Sequence, residues 1–256
     1  MPALFVGHGS PMNAITDNPY REAWVALGAR LPRPDAVLCV SAHWLTEGTA
    51  VTTGTPLKTI HDFYGFPREL FEVDYTVPDA TPWAQRTIDA LRPLNVRPDT
   101  GWGLDHGTWS VLMHMYPQRD VPVFQLSIDG AQPLAFHLAL GRALAALRDA
   151  GVMIVGSGNI VHNLRRMRQG AEPFDWNITF NEHIKQCLLR NDDDGLVNIA
   201  PLGQAAELAV NSGEHYWPLL YAAGARQPGD RTTLFNDTYE MGSLSMTSVL
   251  YEAVPS

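Results

Sequence analysis

The chain has 256 residues, of which 45% are hydrophobic and 18% are charged, a balance typical of a globular protein that buries a sizeable core. Its 27 acidic residues outnumber the 18 lysines and arginines, and the net charge of −9 argues against nucleic acid and anionic membranes as partners. The start lacks a signal-type segment and no apolar run approaches the ~20 residues that cross a bilayer, so we expect a cytoplasmic location.

Four short apolar runs predict buried strands, and amphipathic stretches between them predict helices. The strand-like runs cover residues 3–7, 36–42, 121–128 and 152–157. The helix-like stretches cover 17–30, with Asp17 as N-cap, 81–92, with Thr81 as cap and Pro82 in the first turn, 108–116 and 133–149. Apolar strands that alternate with amphipathic helices indicate a largely parallel sheet covered on both faces. We predict an α/β fold, a single domain over residues 1–256, with a central mostly parallel sheet flanked by helices.

The end of the chain follows a different pattern. Residues 231–236 and 243–251 resemble extended segments, with no clear helix between them. We therefore expect these two segments to add antiparallel edge strands to the sheet.

Two histidines follow the first two predicted strands. His8 stands between two glycines after the first run, and His43 closes the second. Ligands bind beyond the carboxyl ends of strands in an open parallel sheet, so the two side chains lie together if these strands are neighbours. Neutral imidazole is a common ligand for divalent transition metals, and the only two cysteines have no CxxC spacing. We predict a metal site at the strand ends; the alternative is two histidines that only cap or pack.

Two further histidines come from later in the chain. His162 follows the predicted strand 152–157 after a glycine turn, which lacks the GxGxxG and Walker patterns of nucleotide sites. His215 stands at the start of a predicted helix beside Glu214, which could support it by a hydrogen bond. We expect both imidazoles to face the same cleft as the first two, although His215 alone could equally be an ordinary residue of a helix start.

The remaining histidines divide into two classes. His106 opens an apolar helix, where the helix dipole keeps imidazole neutral and able to accept a proton or to bind a substrate oxygen. His61 lies in a loop rich in aromatic residues that could wall a pocket for a flat ring; alternatively it pairs with Asp62 at the surface. Three others lie in the middle of predicted helices, where packing or surface placement is the simpler account: His114, His137 and His183.

Seven motifs, in order along nearly the whole chain, closely resemble the 4,5-DOPA extradiol dioxygenase family, within the class III extradiol ring-cleavage group. They are GHGSPMN at 7–13, SAHW at 41–44, IHDFYGFP at 60–67, DHGTW at 105–109, GSGNIVHN at 156–163, EHYWPLL at 214–220 and EMGSLSM at 240–246. The resemblance implies one α/β domain whose mononuclear metal is held by His8 and His43, with His162 and His215 as further histidines around it.

The resemblance also implies the chemistry. The wider group uses two histidines and a glutamate around Fe(II), whereas His215 stands here where a carboxylate is expected. Fe(II) is the metal expected for activity, and a histidine-rich set also suits Zn(II). A catechol such as L-DOPA would be opened with O2 to a semialdehyde, with His61 and His106 at the substrate. His162, as ligand or base, or His106 would take the catechol proton.

Two other classes of protein share such a cluster of histidines. A zinc hydrolase would use the metal to lower the pKa of bound water, with Glu214 or His106 as base. A non-catalytic metal or small-molecule binding protein would have all four histidines on the ion and no open position. A serine hydrolase is disfavoured because the chain has no GxSxG motif. Nothing in the sequence indicates an oligomeric state.

Overall fold

The computed structural model describes residues 1–92 and 94–254, which form twelve strands and nine α-helices. The strands are β1 (Ala3–Gly7), β2 (Ala36–Ser41), β3 (Leu45–Thr46), β4 (Ala50–Thr52), β5 (Arg97–Asp99), β6 (Val123–Gln125), β7 (Ile128–Asp129), β8 (Val152–Gly158), β9 (Asp230–Phe235), β10 (Tyr239–Glu240), β11 (Leu244–Ser245) and β12 (Ser248–Ala253). The helices are α1 (Pro19–Arg30), α2 (Arg68–Phe71), α3 (Thr81–Ala90), α4 (His106–Met115), α5 (Leu134–Asp149), α6 (Asp175–Arg190), α7 (Asp193–Val197), α8 (Gln204–Ala209) and α9 (Trp217–Gly224).

A six-stranded sheet in the order β6-β2-β8-β1-β12-β9 forms the centre of the molecule. The pairings β6–β2, β2–β8 and β8–β1 are parallel, whereas β1–β12 and β12–β9 are antiparallel. The predicted α/β class, the mostly parallel sheet and the antiparallel edge at the end of the chain are therefore confirmed. The pairs β3–β7, β4–β5 and β10–β11 form separate two-stranded ribbons.

The sheet is covered on both faces because its central strands are apolar on both sides. Along β1, Ala3 and Phe5 pack in one core with residues of α5, α6 and α9. Leu4 and Val6 face the opposite core, which α1 and α4 complete. Successive side chains of a strand point to opposite faces, so a fully apolar strand requires helices on both. The crossing of α5 and α9 is close, since a Cβ at Gly141 would lie 2.4 Å from the Tyr221 carbonyl oxygen.

Several predicted boundaries differ from the structure. The N-cap of α1 is Asn18, not Asp17, because the Asn18 side chain accepts from the backbone N–H of Arg21 while Asp17 is exposed and pairs with the Arg21 guanidinium. Thr81 is the first residue of α3 and Ala80, which has no capping side chain, precedes it.

Two predicted strands are each divided in the structure. The run 121–128 separates into β6, which pairs with β2, and β7, which pairs with β3. The run 243–251 separates into β11 and β12. In both cases the chain changes its pairing partner within one apolar stretch, which periodicity alone does not reveal.

No helix among residues 1–92 and 94–254 is long and apolar enough to cross a membrane.

Candidate metal centre

The carboxyl ends of β1, β2 and β8 form one edge of the sheet, and two histidines leave it there. His8 follows β1, and its backbone N–H donates to the carbonyl of Gly158 at the end of β8 (2.9 Å). His43 lies two residues beyond β2, after Ala42, whose N–H donates to the carbonyl of Ser157 (2.9 Å). The condition that β1 and β2 are neighbours is not met, since β8 lies between them. The two imidazoles nevertheless converge over β8, with ring centroids 5.1 Å apart.

His215 reaches the same edge from the loop before α9. Its backbone carbonyl accepts from the N–H of Asn159 (2.9 Å), just beyond β8. A Cβ at residue 158 would lie 2.1 Å from this carbonyl oxygen, so glycine is required there. His215 is 8% exposed, and its ring centroid lies 5.4 Å from that of His8 and 5.1 Å from that of His43. The three histidines offer nitrogen atoms that all lie within 4.8 Å of one another.

Each of these imidazoles has its Nδ1 engaged by an acceptor. Nδ1 of His43 lies 3.3 Å from an Asp62 carboxylate oxygen, and Nδ1 of His215 lies 3.2 Å from Oε1 of Glu214. Nδ1 of His8 lies 3.0 Å from Oγ of Ser157, whose hydroxyl donates to the carbonyl of Gly107 (2.5 Å) and can therefore only accept from the ring. These acceptors favour the tautomer with the proton on Nδ1 in all three rings, which leaves Nε2 as an electron-pair donor.

These donors fit a metal ion. Nε2 of His8 and Nε2 of His43 lie 3.2 Å apart. In the Nδ1-protonated tautomer, each of these two atoms presents a lone pair to the other. Two lone pairs at that distance repel each other unless a cation lies between them. Nitrogen atoms each ~2.1 Å from one ion are roughly 3.0–3.4 Å apart in octahedral or tetrahedral coordination. The observed separation lies within this range.

Burial keeps the same rings neutral. Desolvation, together with repulsion from the surrounding imidazoles, lowers the pKa of His8 and of His215 well below the usual value. Desolvation and the neighbouring His106 lower the pKa of His43 to about 3, although Asp62 opposes the shift. Imidazole binds a metal in its neutral form, so the three side chains are ready to act as ligands at neutral pH.

His106, the first residue of α4, lies against this group. Its ring centroid is 3.9 Å from that of His43, and its Nδ1 lies 2.9 Å from Oδ2 of Asp62 in a bent contact. Oδ1 of Asp62 accepts from the backbone N–H of His106 (3.0 Å). Burial alone would raise the pKa of Asp62, but its contacts with His106 and His43 outweigh burial and lower it, which keeps the carboxylate ionised.

A second carboxylate, that of Asp105, lies at the N-terminal end of α4 and is absent from the predicted site. Asp105 is fully buried and caps α4, accepting from the hydroxyl of Ser41 (2.6 Å) and from the side-chain amide of Gln125 (2.7 Å). Desolvation and repulsion by Asp62 raise the pKa of Asp105. The network joins the ends of β2 and β6 to the start of α4, and so it fixes where His106 stands.

His162 is placed next to His215 rather than between the other rings. The two imidazoles stack face to face, with centroids 3.4 Å apart and planes 7° apart. His162 forms a separate group of potential ligands with Glu214 and His215. Desolvation lowers the pKa of His162 to about 4, with Glu214 opposing the shift, so this ring is also neutral at pH 7.

The aromatic loop lies beside His106. His61 packs among Phe63, Phe71 and Trp109, and its Nε2 contacts the carbonyl of Val73 (3.0 Å). The alternative that His61 pairs with Asp62 is wrong, because the Asp62 carboxylate turns to His106 and His43. The three histidines in the middle of helices make packing contacts: His114 with the Ala14 carbonyl, His137 with the Tyr221 hydroxyl and His183 with the Cys187 thiol.

Asp62 and Asp105 are site residues that the sequence does not identify. The sequence suggests Asp62 only as a surface partner of His61, although it lies in a motif that carries a candidate site histidine. An acidic residue next to such a histidine is a signal for a supporting hydrogen bond, as Glu214 is for His215.

Comparison with known proteins gives consistent results. A family model described as the catalytic LigB subunit of aromatic ring-opening dioxygenase matches residues 2–248. A protein of Escherichia coli (strain K12) named 4,5-DOPA dioxygenase extradiol is 48% identical over 255 residues, covering 97% of this chain and 94% of that protein. The Beta vulgaris protein of the same name is 34% identical, covering 96% and 94%. The crystal structure of the uncharacterized protein JW3007 from Escherichia coli K12 superposes with a TM-score of 0.85 at 44% identity, covering 98% of this chain and 99% of that one.

Proposed function

Because the chain belongs to the LigB family of aromatic ring-opening dioxygenases and is an extradiol ring-cleavage dioxygenase, we propose that its substrate is a catechol such as L-DOPA. Both atoms of O2 enter the product, and the ring carbon–carbon bond next to the diol breaks, giving a semialdehyde. The observation that carries the proposal is the set of three neutral imidazoles with free Nε2 atoms beside a fourth imidazole, His106.

We assign the metal to His8, His43 and His215, with Fe(II) as the ion that supports activity. Fe(II), when bound, would supply the redox chemistry by which O2 reacts with the ring. Zn(II) also suits three imidazoles but has no redox change to offer, so the zinc form is expected to be inactive in ring cleavage. His162 is the fourth histidine considered as a ligand, and its stacking on His215 favours a role next to the ion rather than on it.

Two histidines are positioned to receive the protons that a catechol releases. His106 has its Nδ1 against Asp62, which leaves Nε2 as the proton acceptor, and Asp62 stabilises the imidazolium that results. His162 is neutral at pH 7 and close to Glu214, so it is the second candidate acceptor and can return a proton to the product. His106 lies against His43 and His162 lies against His215, so one neutral base is available for each of the two hydroxyl protons of a diol.

The aromatic loop is proposed to hold the substrate ring. Phe63 contacts the edge of His106 with ring centroids 5.5 Å apart, and His61 packs against Phe63. Aromatic side chains next to a proton acceptor bind a flat ring and exclude water from it. His61 and His106 are accordingly assigned to substrate binding.

The test is metal reconstitution in the absence of O2. Metal-free protein is loaded with Fe(II) or with Zn(II), mixed with a panel of catechols with and without charged side chains, and then exposed to air. We expect O2 uptake, a yellow product and a mass gain of both oxygen atoms for the Fe(II) form only. His183→Ala is the matched control, since this histidine lies on α6 and contacts Cys187. Absence of O2 uptake with every catechol, or hydrolysis by the Zn(II) form, would refute the proposal.

A further inference from the structure

One carboxylate, that of Asp62, contacts two imidazoles to which different tasks are assigned. Its Oδ2 lies 2.9 Å from Nδ1 of His106 and 3.3 Å from Nδ1 of His43. Its Oδ1 accepts from the backbone N–H of His106 (3.0 Å). A proposed proton acceptor and a proposed metal ligand therefore share a single partner. On the other side, Glu214 contacts the ring of His215 and the hydroxyl of Ser212, and it lies near His162.

The position of Asp62 is fixed by the loop that carries it. The backbone N–H of Ile60 donates to the carbonyl of Leu104 (2.7 Å), and the indole N–H of Trp109 donates to the carbonyl of Ile60 (2.8 Å). These contacts tie the loop to both sides of the start of α4. The Asp62 side chain is 18% exposed, so its carboxylate faces the two rings in a partly desolvated setting where such contacts are stronger than in water.

We propose that Asp62 is a positioning residue that sets the tautomer of His43 and His106 together, and so prepares metal binding and proton transfer with one side chain. An ionised carboxylate can only accept, so both rings place their proton on Nδ1. The Nε2 of His43 is then free for the metal, and the Nε2 of His106 is free for the substrate proton. The proposal rests on the function assigned above, but it concerns the chain's own residues and can be tested without substrate.

The tautomer role makes an unusual prediction for the isosteric variant Asp62→Asn. Its amide oxygen can keep the bond to the backbone N–H of His106, which turns its NH2 group toward the two Nδ1 atoms. Because NH2 can only donate, both rings would shift their proton to Nε2. A residue needed only for packing would tolerate asparagine better than alanine, whereas a residue that sets tautomers would not.

The experiment compares Asp62→Asn and Asp62→Ala with wild type in three measurements: thermal unfolding, Zn(II) affinity by chelator competition, and imidazole 15N NMR of the Zn(II)-loaded full chain. We expect folded proteins, a loss of Zn(II) affinity of ~10- to 100-fold, at least as large for asparagine as for alanine, and a His106 proton that moves to Nε2 in Asp62→Asn. Asp74→Asn is the matched control, since Asp74 is an exposed carboxylate nearby in the chain that accepts from Thr59 and Thr76.

A double-mutant cycle with His106→Ala separates the two tasks. At saturating Fe(II), His106→Ala should lower turnover by ~10²–10⁴-fold, and adding Asp62→Ala should lower it little further while still weakening Zn(II) binding through His43. Asp62→Glu, which keeps an acceptor, should recover part of the affinity lost in Asp62→Asn. The proposal is overturned if asparagine is the milder substitution, if the His106 tautomer is unchanged, or if the two turnover effects multiply. Failure of ring cleavage alone would leave the NMR and affinity results intact and would count against the proposed function instead.

Discussion

In each of the three proposed metal ligands, Nδ1 of the imidazole contacts an oxygen atom of a neighbouring side chain. His8 relies on the hydroxyl of Ser157, His43 on Asp62 and His215 on Glu214. Two carboxylates and one hydroxyl therefore surround the ligands, and the two negative charges offset those of a divalent cation. Partners of this kind fix ring orientation and raise ligand basicity, so a neutral pocket of imidazoles becomes a strong site for a cation.

His162 stacks on His215 and is not one of the three histidines assigned to the metal, which leads to a test by substitution. Replacing His8, His43 or His215 by alanine should abolish stoichiometric metal, because each removes one donor of the converging set. His162→Ala should keep the metal and lose turnover, because lone pairs lie in the ring plane and two rings stacked 3.4 Å apart do not aim at one point. The measurement is metal content per folded chain, with His183→Ala as control. If His162→Ala loses its metal while the other three variants keep theirs, His162 is the ligand and the assignment to His8, His43 and His215 is wrong.

His8 and His43 were predictable from the sequence because they directly follow apolar strands, whereas Asp62 and Asp105 were not. His8 and His43 could be placed at one edge from the strand pattern alone. Asp62 contacts His106 across 44 residues of chain, and Asp105 joins residues of two strands. Such contacts depend on how loops return to the sheet, for which a single sequence carries no periodic signal.

At the scale of elements, β8 has the decisive place in the site. It lies between β1 and β2, carries Ser157, which contacts the ring of His8, and its Gly158 allows the backbone of His215 to approach. The existence of β8 was predictable from its apolar residues. Its position in the sheet was not, because strands that follow each other in the chain, such as β1 and β2, usually lie side by side. Here the long connections through α1 and α5 allow the later strand β8 to lie between them.

His137 on α5 gives a pH prediction that is independent of the metal site. Burial lowers its pKa to about 4, against 6.5 in an unfolded chain. Between these values the unfolded state binds one more proton, so this residue makes the free energy of unfolding fall by ~1.4 kcal/mol per pH unit as the pH is lowered from 6.5 toward 4. His137→Asn places an amide where Nδ1 of His137 contacts the Tyr221 hydroxyl. Because this amide does not titrate, the variant should lack that part of the slope.

The measurement is urea unfolding of metal-free wild type and His137→Asn at several values between pH 4.5 and 8. Above pH 7 the two proteins should show the same pH dependence, which serves as the internal control, whatever their difference in absolute stability. Below pH 6.5 wild type should lose stability more steeply. Parallel curves over the whole range would mean that His137 is not held neutral by burial in the folded protein.

For the molecule as a whole, the two edges of the sheet have different chemistry. The carboxyl edge of the parallel strands carries the imidazoles, whereas a buried ion pair between Arg148 and Asp230 lies at the opposite edge, beside the start of β1. The Arg148 guanidinium also donates to the carbonyls of Met1, Ala225 and Tyr251. It thereby joins α5 and the end of α9 to the antiparallel strands β9 and β12, close to the N-terminus of the chain.

This separation predicts that stability and catalysis can be changed independently. Arg148→Met should lower the free energy of unfolding by about 3–5 kcal/mol, because it leaves the buried Asp230 carboxylate without its partner. Adding Asp230→Asn should recover part of that loss, since the cost comes from the uncompensated charge. Zn(II) affinity and turnover of the folded fraction should stay within about twofold of wild type, because the five residues of β1 place the two edges roughly 17 Å apart. Urea unfolding and chelator competition on the same samples check both parts, and a loss of metal affinity that follows the loss of stability would show that the two edges are coupled.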